Sequence, residues 1–360
     1  MFRASRLAAV AAVAAAALTL SACGGAQNTG SRAPAKAPEK VSIATAGYLT
    51  IMAPLWAAQP EFDKVAQEFG TEISFQQFGK ATDAQTALLS GGVQVNTATS
   101  AGVSLQAALQ DQAVVSTANM FTGGGIVLVG AKKYEAERGT NVAKYAGATW
   151  GYASEGSGSQ RGSKAIVEHA GLSWADQKGV ALGAIAAFEP ALQSGRADIV
   201  AMDPTSAAKA LTSGTGYVVF NSNDLDAYGP VVGPLLGNTV AVTDDFRKQY
   251  PELTQAVVTA YVQGLLKVRD AADVNAFYAL MPPEFQQAHP NDALLAEDWA
   301  LSKPAFLAAD GSFSAEAIAA TTKFAELTPE QAQSPLVTAT FDDSYVEAAY
   351  KELGVPRPTI

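Results

Sequence analysis

Residues 147–176 read GATWGYASEGSGSQRGSKAIVEHAGLSWAD, and this stretch decides the prediction of the fold. Ala148 to Ala153 is predicted to be a strand, and Gly156 to Ser159 a turn of small residues. Gln160 to Ala170 is predicted to be a helix that Gly171 closes, because glycine readily takes the left-handed conformation that ends helices. Strand and helix patterns also alternate elsewhere, which predicts an α/β protein with largely parallel strands.

The same turn predicts a site for an anion. Backbone N–H groups at a helix N-terminus point outward, and the helix dipole favours negative charge there. Ser157 and Ser159 add hydroxyl donors, and Arg161 adds a full positive charge. A capped helix that follows a flexible loop is the alternative interpretation, and it needs no ligand.

Two segments on either side of this stretch resemble each other. ALLSGGVQVNTATSA at 87–101 and ALQSGRADIVAMDPTSA at 191–207 both place Ser-Gly at a helix end, then a short apolar strand, then a polar loop. The duplication predicts two similar α/β lobes. Because ligands of open α/β sheets bind beyond the carboxyl ends of the strands, both polar loops are expected to face one crevice.

The composition indicates a globular protein. The chain has 360 residues, of which 48% are hydrophobic and 16% charged, and its formal net charge is -10. This acidic balance disfavours nucleic acid as a partner, since phosphate neutralisation needs clustered Lys and Arg. About 320 residues follow Val41, enough for two domains that each bury a core.

The N-terminal segment is typical of a secretory signal peptide. Arg3 and Arg6 precede the apolar segment Leu7–Leu20, which is shorter than the ~20 residues of a transmembrane helix. The only cysteine of the chain, Cys23, follows directly after Leu20, Ser21 and Ala22. This sequence resembles a bacterial lipobox, in which the cysteine sulfur is lipidated and the chain is cut just before it.

We therefore predict a lipoprotein signal peptide at 1–22 with Cys23 as the lipidation site. An ordinary signal peptide with a fortuitous cysteine is the alternative. Residues 23–40 are rich in Gly, Ala, Pro, Ser and Lys and have no apolar periodicity, which predicts a flexible tether.

Three segments of the chain resemble a known family. They are EGSGSQ at 155–160, EHAGLSWAD at 168–176 and PALQSGRADIVAMDPTSAAKAL at 190–211. They are similar to the substrate-binding lipoproteins of ABC importers in the nitrate, sulfonate and taurine group, which includes relatives for thiamine-precursor pyrimidines. The similarity runs from about Val41 to about Leu266 and implies a type II periplasmic binding protein fold, with two α/β lobes joined by a double hinge.

This fold predicts lobe 1 at 41–125 and 238–360, and lobe 2 at 126–237. Five glycines lie near the two predicted crossings between the lobes, where they would allow the backbone turns of a hinge: Gly123, Gly124, Gly125, Gly233 and Gly237. Ordinary turns are the alternative interpretation of these glycines. The most periodic helix after the second crossing, ELTQAVVTAYVQGLLKVRDAA at 252–272, is expected to pack on lobe 1.

The resemblance also implies ligand-binding positions in the loops that face the crevice. They are Tyr48, Thr50, Thr99, Ser100, Ser157, Gly158, Ser159, Gln160 and Asp203, and Arg161 joins them through its charge. The chain departs from the family at Met202, where an aromatic residue is common. Glu189 adds a carboxylate near a helix start of the second lobe. Both features count against nitrate or a simple sulfonate as the ligand.

The function that the resemblance implies is solute capture for import. The protein is expected to be a monomeric extracytoplasmic lipoprotein that delivers a small, sulfonate-like or taurine-like anion to the permease and ATPase of an ABC importer. A thiamine-type pyrimidine or another heteroaromatic solute is the alternative ligand. A non-transport receptor, or a pyrimidine-forming enzyme of the same fold, is the alternative of another class.

Catalytic motifs are incomplete, so we predict neither an enzyme nor a cofactor or metal site. GSGSQRG at 156–162 misses the dinucleotide pattern G-x-G-x-x-G by one residue, and SAAK at 206–209 lacks the K-T-G that accompanies S-x-x-K. His169 is expected near the end of a surface helix, and His289 in a polar loop before Pro290. Pyrimidine-forming chemistry with His and Cys residues does not fit a domain without a free Cys.

Lipidation at Cys23 predicts how the protein fractionates. The Cys23→Ser variant should leave the membrane fraction and stay folded, since two or three acyl chains, at about 0.8 kcal/mol per buried methylene, supply the anchor. Immunoblots of membrane and soluble fractions measure this. Membrane retention equal to that of the wild type would contradict the lipobox interpretation.

Overall fold

Two five-stranded sheets carry the architecture of the chain. The structure, a computed structural model, describes residues 36–360, so the predicted signal peptide and Cys23 lie outside the described residues. The strands are β1 (Lys40–Thr45), β2 (Glu72–Gln77), β3 (Val95–Asn96), β4 (Val114–Asn119), β5 (Val127–Ala131), β6 (Thr149–Tyr152), β7 (Lys178–Ala181), β8 (Ile199–Met202), β9 (Gly216–Asn221) and β10 (Thr239–Thr243).

The two sheets have the same strand arrangement. The first sheet has the order β2-β1-β3-β10-β4, and the second has the order β7-β6-β8-β5-β9. In the first sheet β10 is antiparallel to both of its neighbours, and in the second sheet β5 is. The prediction of largely parallel strands therefore holds for four strands of each sheet. The fifth strand runs the other way because it enters from the opposite sheet.

Helices cover both sheets, and they make up most of the chain after β10. They are α1 (Ala53–Ala57), α2 (Gln59–Phe69), α3 (Ala81–Leu89), α4 (Ala101–Ala108), α5 (Glu135–Arg138), α6 (Gly158–His169), α7 (Phe188–Ser194), α8 (Pro204–Thr212), α9 (Leu225–Val232), α10 (Asp244–Gln249), α11 (Pro251–Arg269), α12 (Val274–Tyr278), α13 (Pro283–Ala288), α14 (Asp292–Leu307), α15 (Ala315–Phe324), α16 (Pro329–Ala332), α17 (Pro335–Ala339) and α18 (Ser344–Leu353).

The strand, turn and helix predicted from residues 147–176 are present. They are β6, a turn and α6, which starts two residues before the predicted Gln160. Gly171 follows the C-terminal end of α6 and has a φ of +78°, the left-handed conformation that glycine commonly takes after a helix. The two similar segments form α3-β3-α4 and α7-β8-α8, and β3 and β8 take equivalent places in their sheets.

Two crossovers, residues 120–126 and 222–238, join the sheets side by side. The Gly123 N–H donates to the Leu235 carbonyl at 2.8 Å, and the Gly237 N–H donates to the Phe121 carbonyl at 2.9 Å. Gly123 has a φ of +131°, and a Cβ there would lie 2.9 Å from the Ser222 carbonyl oxygen, so glycine is required. The hinge role of these glycines and the lobe ranges stay predictions.

Helix α14 belongs to the cores of both sheets. Its Leu295 and Trp299 lie in the main cluster of the first sheet, which also holds the predicted helix α11. Its Leu294 and Leu301 lie in a cluster with Val129 of the second sheet and with α8 residues. The sheets are thus connected by packing as well as by the two crossovers.

None of the helices in residues 36–360 combines the length and the apolar character that crossing a bilayer requires.

The packing of α11 on α1 depends on a glycine. A Cβ on Gly264 would lie 2.1 Å from the Pro54 carbonyl oxygen and 2.7 Å from the Ala58 Cβ. We expect Gly264→Ala to lower the free energy of unfolding by about 2 kcal/mol or more, because a close-packed core does not absorb an extra methyl there. Thermal or urea denaturation measures this.

Gly102→Ala is the matched control. Gly102 also lies in a helix, α4, but a Cβ there would make only ordinary contacts, with the Ala325 Cβ at 3.7 Å. The control should leave stability unchanged or raise it by up to about 1 kcal/mol. Equal stability of the two variants would contradict the packing argument.

Candidate functional site

The crevice predicted from the sequence would lie at the carboxyl ends of the parallel strands of both sheets. The loops after β1, β3, β6 and β8 lead into helices whose N-termini lie at these strand ends. The Thr50 N–H, after β1, donates to Thr205 Oγ1, in the first turn of α8, at 3.1 Å. The loop after β1 of the first sheet therefore contacts the start of a helix that follows β8 of the second sheet.

Ser157 caps helix α6 in the predicted anion turn. Its Oγ accepts from the Gln160 N–H at 3.3 Å, and Ser159 Oγ accepts from the Ala153 N–H at 3.0 Å. Both hydroxyls are therefore used within the turn. Among the described residues, the N–H groups of Gly158 and Ser159 have no acceptor, as is usual for the first turn of a helix.

Glu155 places a negative charge beside these donors, and the sequence analysis did not identify its role. Its carboxylate accepts hydrogen bonds from the Tyr152 hydroxyl and from Gln160 Nε2. Burial, with the hydrogen bond to Glu155 as a further cause, raises the pKa of Tyr152 to about 12. A purely anionic ligand at the start of α6 would be repelled by this carboxylate.

Asp203 is the N-cap of α8 and lies at the same edge of the second sheet. Its carboxylate accepts from the Ser206 N–H at 2.9 Å and from Ser206 Oγ at 2.6 Å. Burial raises the pKa of Asp203, while the two hydrogen bonds from Ser206 oppose that effect. Because β6 and β8 are neighbouring parallel strands, Glu155 and Asp203 follow them at the same edge of the second sheet.

Most of the predicted site residues beside the first sheet already contact other residues on that side. The half-buried Tyr48 ring stacks on Trp56 with a centroid distance of 4.4 Å, so one face of the ring is already covered. Thr99 is fully buried and accepts a hydrogen bond from Asn96. Ser100 is partly exposed at the N-terminus of α4 and makes no side-chain cap bond, which leaves its hydroxyl available.

Two further charged residues from the sequence analysis are Arg161 and Glu189, and Glu189 lies near a helix start, in the first turn of α7, as expected. Arg161 lies on α6 and lines a groove towards α9 and α15. Glu189 accepts from Ser213 Oγ at 2.6 Å and from Thr215 Oγ1 at 2.9 Å. These residues precede β9, at the edge of the sheet opposite to Asp203, so Glu189 lies away from the crevice.

A buried polar network behind Thr50 was missed by the sequence analysis. Asp298 Oδ2 accepts from Thr50 Oγ1 at 2.7 Å and contacts His289 Nε2 at 2.8 Å, while Ser302 Oγ donates to Asp298 Oδ1 at 3.2 Å. All four residues are buried. His289 lies in the bend between α13 and α14, before Pro290 as expected, but its side chain is buried. His169 is exposed in the last turn of α6, as expected.

The comparison with protein families identifies the chain. Residues 67–271, more than half of its length, match the family model described as NMT1/THI5 like. The chain belongs to the NMT1/THI5-like family. No curated protein matches the sequence.

Solved structures show the fold of this NMT1/THI5-like chain. A protein from Bordetella bronchiseptica RB50 superimposes with a TM-score of 0.72 at 20% identity, covering 88% of this chain and 98% of that one. The nitrate-binding protein of Synechocystis PCC 6803 has a TM-score of 0.64 at 12% identity, with 89% and 91% covered. The alkanesulfonate-binding protein of Xanthomonas axonopodis pv. citri, bound to MOPS, has a TM-score of 0.62 at 18% identity, with 85% and 99% covered.

These comparisons confirm the predicted resemblance and the periplasmic binding protein fold. The identities are too low to carry a ligand from one chain to another, so the site residues of this NMT1/THI5-like protein stay predictions.

The network around Asp298 predicts a large effect for a small substitution. Thr50→Val keeps the shape of the side chain but removes the hydroxyl that donates to the buried carboxylate. We expect the free energy of unfolding to fall by about 1.5–3 kcal/mol, the range for a hydrogen bond to a charged group. Chemical denaturation measures the difference.

Thr86→Val is the matched control, because Thr86 is exposed on α3 and its hydroxyl bonds only to the Thr82 carbonyl. That variant should stay within about 0.5 kcal/mol of the wild type. A Thr50→Val protein as stable as the control would show that the network contributes little.

Proposed function

We propose that this protein is an extracytoplasmic solute-binding protein that captures a small solute in the crevice and delivers it to an ABC importer. The observation that carries the proposal is that helices follow the parallel strands of both sheets, and that the Thr50 loop of one sheet contacts Thr205 beside the other. The family and the fold support it. The permease and ATPase partners and the lipid anchor at Cys23 belong to the same proposal.

The charges at the crevice favour a ligand with both signs of charge. The free N–H groups of Gly158 and Ser159 and the dipole of α6 suit an anionic head. Glu155 and Asp203 on the adjacent loops suit a cationic or hydrogen-bond-donating group. An amino-sulfonate such as taurine satisfies both requirements, whereas nitrate satisfies only the first.

A ligand screen tests the proposed function. We expect taurine, at about 100 times its dissociation constant, to stabilise the Cys23→Ser chain by about 2.7 kcal/mol in thermal denaturation. Nitrate and ethanesulfonate should stabilise it less. Stabilisation by a thiamine-type pyrimidine alone would replace taurine with the alternative ligand, and the absence of any stabilisation across these compounds would count against solute capture.

Two substitutions locate the ligand in the crevice. Ser157→Asp keeps a good helix cap but adds a negative charge beside the anionic head, so calorimetry should detect no taurine binding. Glu155→Gln should weaken taurine binding but strengthen ethanesulfonate binding, since only taurine carries an ammonium group.

Ser314→Asp is the control for the first substitution. Ser314 is the exposed N-cap of α15 and accepts from the Ala317 N–H at 3.1 Å, so the same change occurs at a helix cap outside the crevice. Taurine affinity should not change in this variant. If Ser157→Asp bound taurine as tightly as Ser314→Asp does, the anionic head would not lie at the start of α6.

A further inference from the structure

A second concave surface lies between α6, α9 and α15. This groove has a cavity volume of about 280 Å³, near the lower end of the ~300–1,000 Å³ range of small-molecule pockets. It is lined by cationic and apolar side chains from the three helices, principally Arg161, Lys164, Val231, Val232, Lys323 and Phe324.

Arg161 provides an unsatisfied donor in the groove. Its Nε is buried and has no hydrogen-bond partner among the described residues. No carboxylate in residues 36–360 lies within ion-pair distance of its guanidinium group. A buried N–H without an acceptor is unfavourable, and an arginine fork matches the two oxygens of a carboxylate or sulfonate.

The other charges leave the groove cationic. Lys164 Nζ forms an ion pair with Glu326 at 2.5 Å, so these two charges neutralise each other. Lys323 lies on α15, one helical turn after the groove residue Ala320. It has no ion-pair partner in the described part of the chain. Glu168 and His169 line the groove further along α6, and both are exposed to solvent.

The apolar lining defines the rest of the occupant. Val231 and Val232 come from the end of α9, and the half-buried Phe324 packs against the second-sheet cluster that contains Trp150 and Ile166. These side chains provide an uncharged surface beside the Arg161 guanidinium. An occupant that uses both features has one anionic head and a short apolar body.

We propose that this groove is a second binding site of the protein, selective for small organic anions with an apolar or aromatic body. Its α6 residues run from Arg161 to His169, whereas the predicted anion turn lies at the N-terminus of that helix. The proposal does not depend on the identity of the crevice ligand.

Fluorine NMR with 4-fluorobenzoate as the probe tests the proposal on the full chain. The probe carries a carboxylate and a ring that fits the volume, and 4-fluorobenzamide is the matched neutral compound. We expect the benzoate to bind saturably and the benzamide at least tenfold more weakly, because the amide lacks the charge that Arg161 recognises. Arg161→Gln should raise the benzoate dissociation constant roughly tenfold or more.

Three further variants make the result decisive. Arg196→Gln removes the same charge from an exposed position of the second sheet and should leave probe binding unchanged. Lys323→Gln should weaken binding less than Arg161→Gln, since Lys323 is more exposed. Ser157→Asp alters only the crevice, so the probe should still bind.

Several results would overturn the proposal. These are equal affinity for the benzoate and the benzamide, equal affinity of wild type and a folded Arg161→Gln protein, or an equal loss in Arg196→Gln. Loss of probe binding in Ser157→Asp would assign the probe to the crevice instead. Circular dichroism of each variant confirms that the protein tested is folded.

Discussion

The buried carboxylate of Asp298 constrains the geometry of the whole crevice. A carboxyl group without access to water needs hydrogen-bond partners, and it has them in the loop after β1, at the end of α13 and in α14 itself. Removing one hydrogen bond to such a group typically costs about 1.5–3 kcal/mol, so the three segments are held together. The loop after β1 thereby presents the Thr50 N–H to Thr205, one of the contacts between the two halves of the structure.

The strength of the local signals decided how much of this could be predicted from the sequence. The strand, turn and helix around Ser157 and the duplication at β3 and β8 were visible because turn residues and apolar patterns are local properties. The antiparallel direction of β5 and β10 was not, since a buried strand has the same apolar pattern in either direction. The roles of Asp298 and His289 depend on a partner far along the chain, and no local sequence pattern predicts that contact.

In the candidate site, too, some features follow from neighbouring residues in the sequence, and others depend on residues that are distant in the sequence. The cap at Ser157 follows from its position before a helix, whereas the groove that Arg161 lines depends on the face of α6 that α9 and α15 cover. Glu155 was part of the quoted stretch, but its effect on the turn needs the side chains of Tyr152 and Gln160 in place. These details are the basis of the proposal that the ligand carries charges of both signs.

The two sides of the crevice resist separation unequally. On the α14 side, separation would remove Leu294 and Leu301 from the second-sheet cluster, at about 1.5–3 kcal/mol for each buried side chain, and would also break the contact of Thr50 with Thr205. On the α15 side, the largest polar contact is the exposed Lys164–Glu326 pair, and such pairs contribute about 0–1 kcal/mol. Phe324 adds apolar contact there, but it is only partly buried. The α14 side therefore contributes more buried side-chain contact between the two sheets than the Lys164–Glu326 pair and Phe324 do at the α15 side.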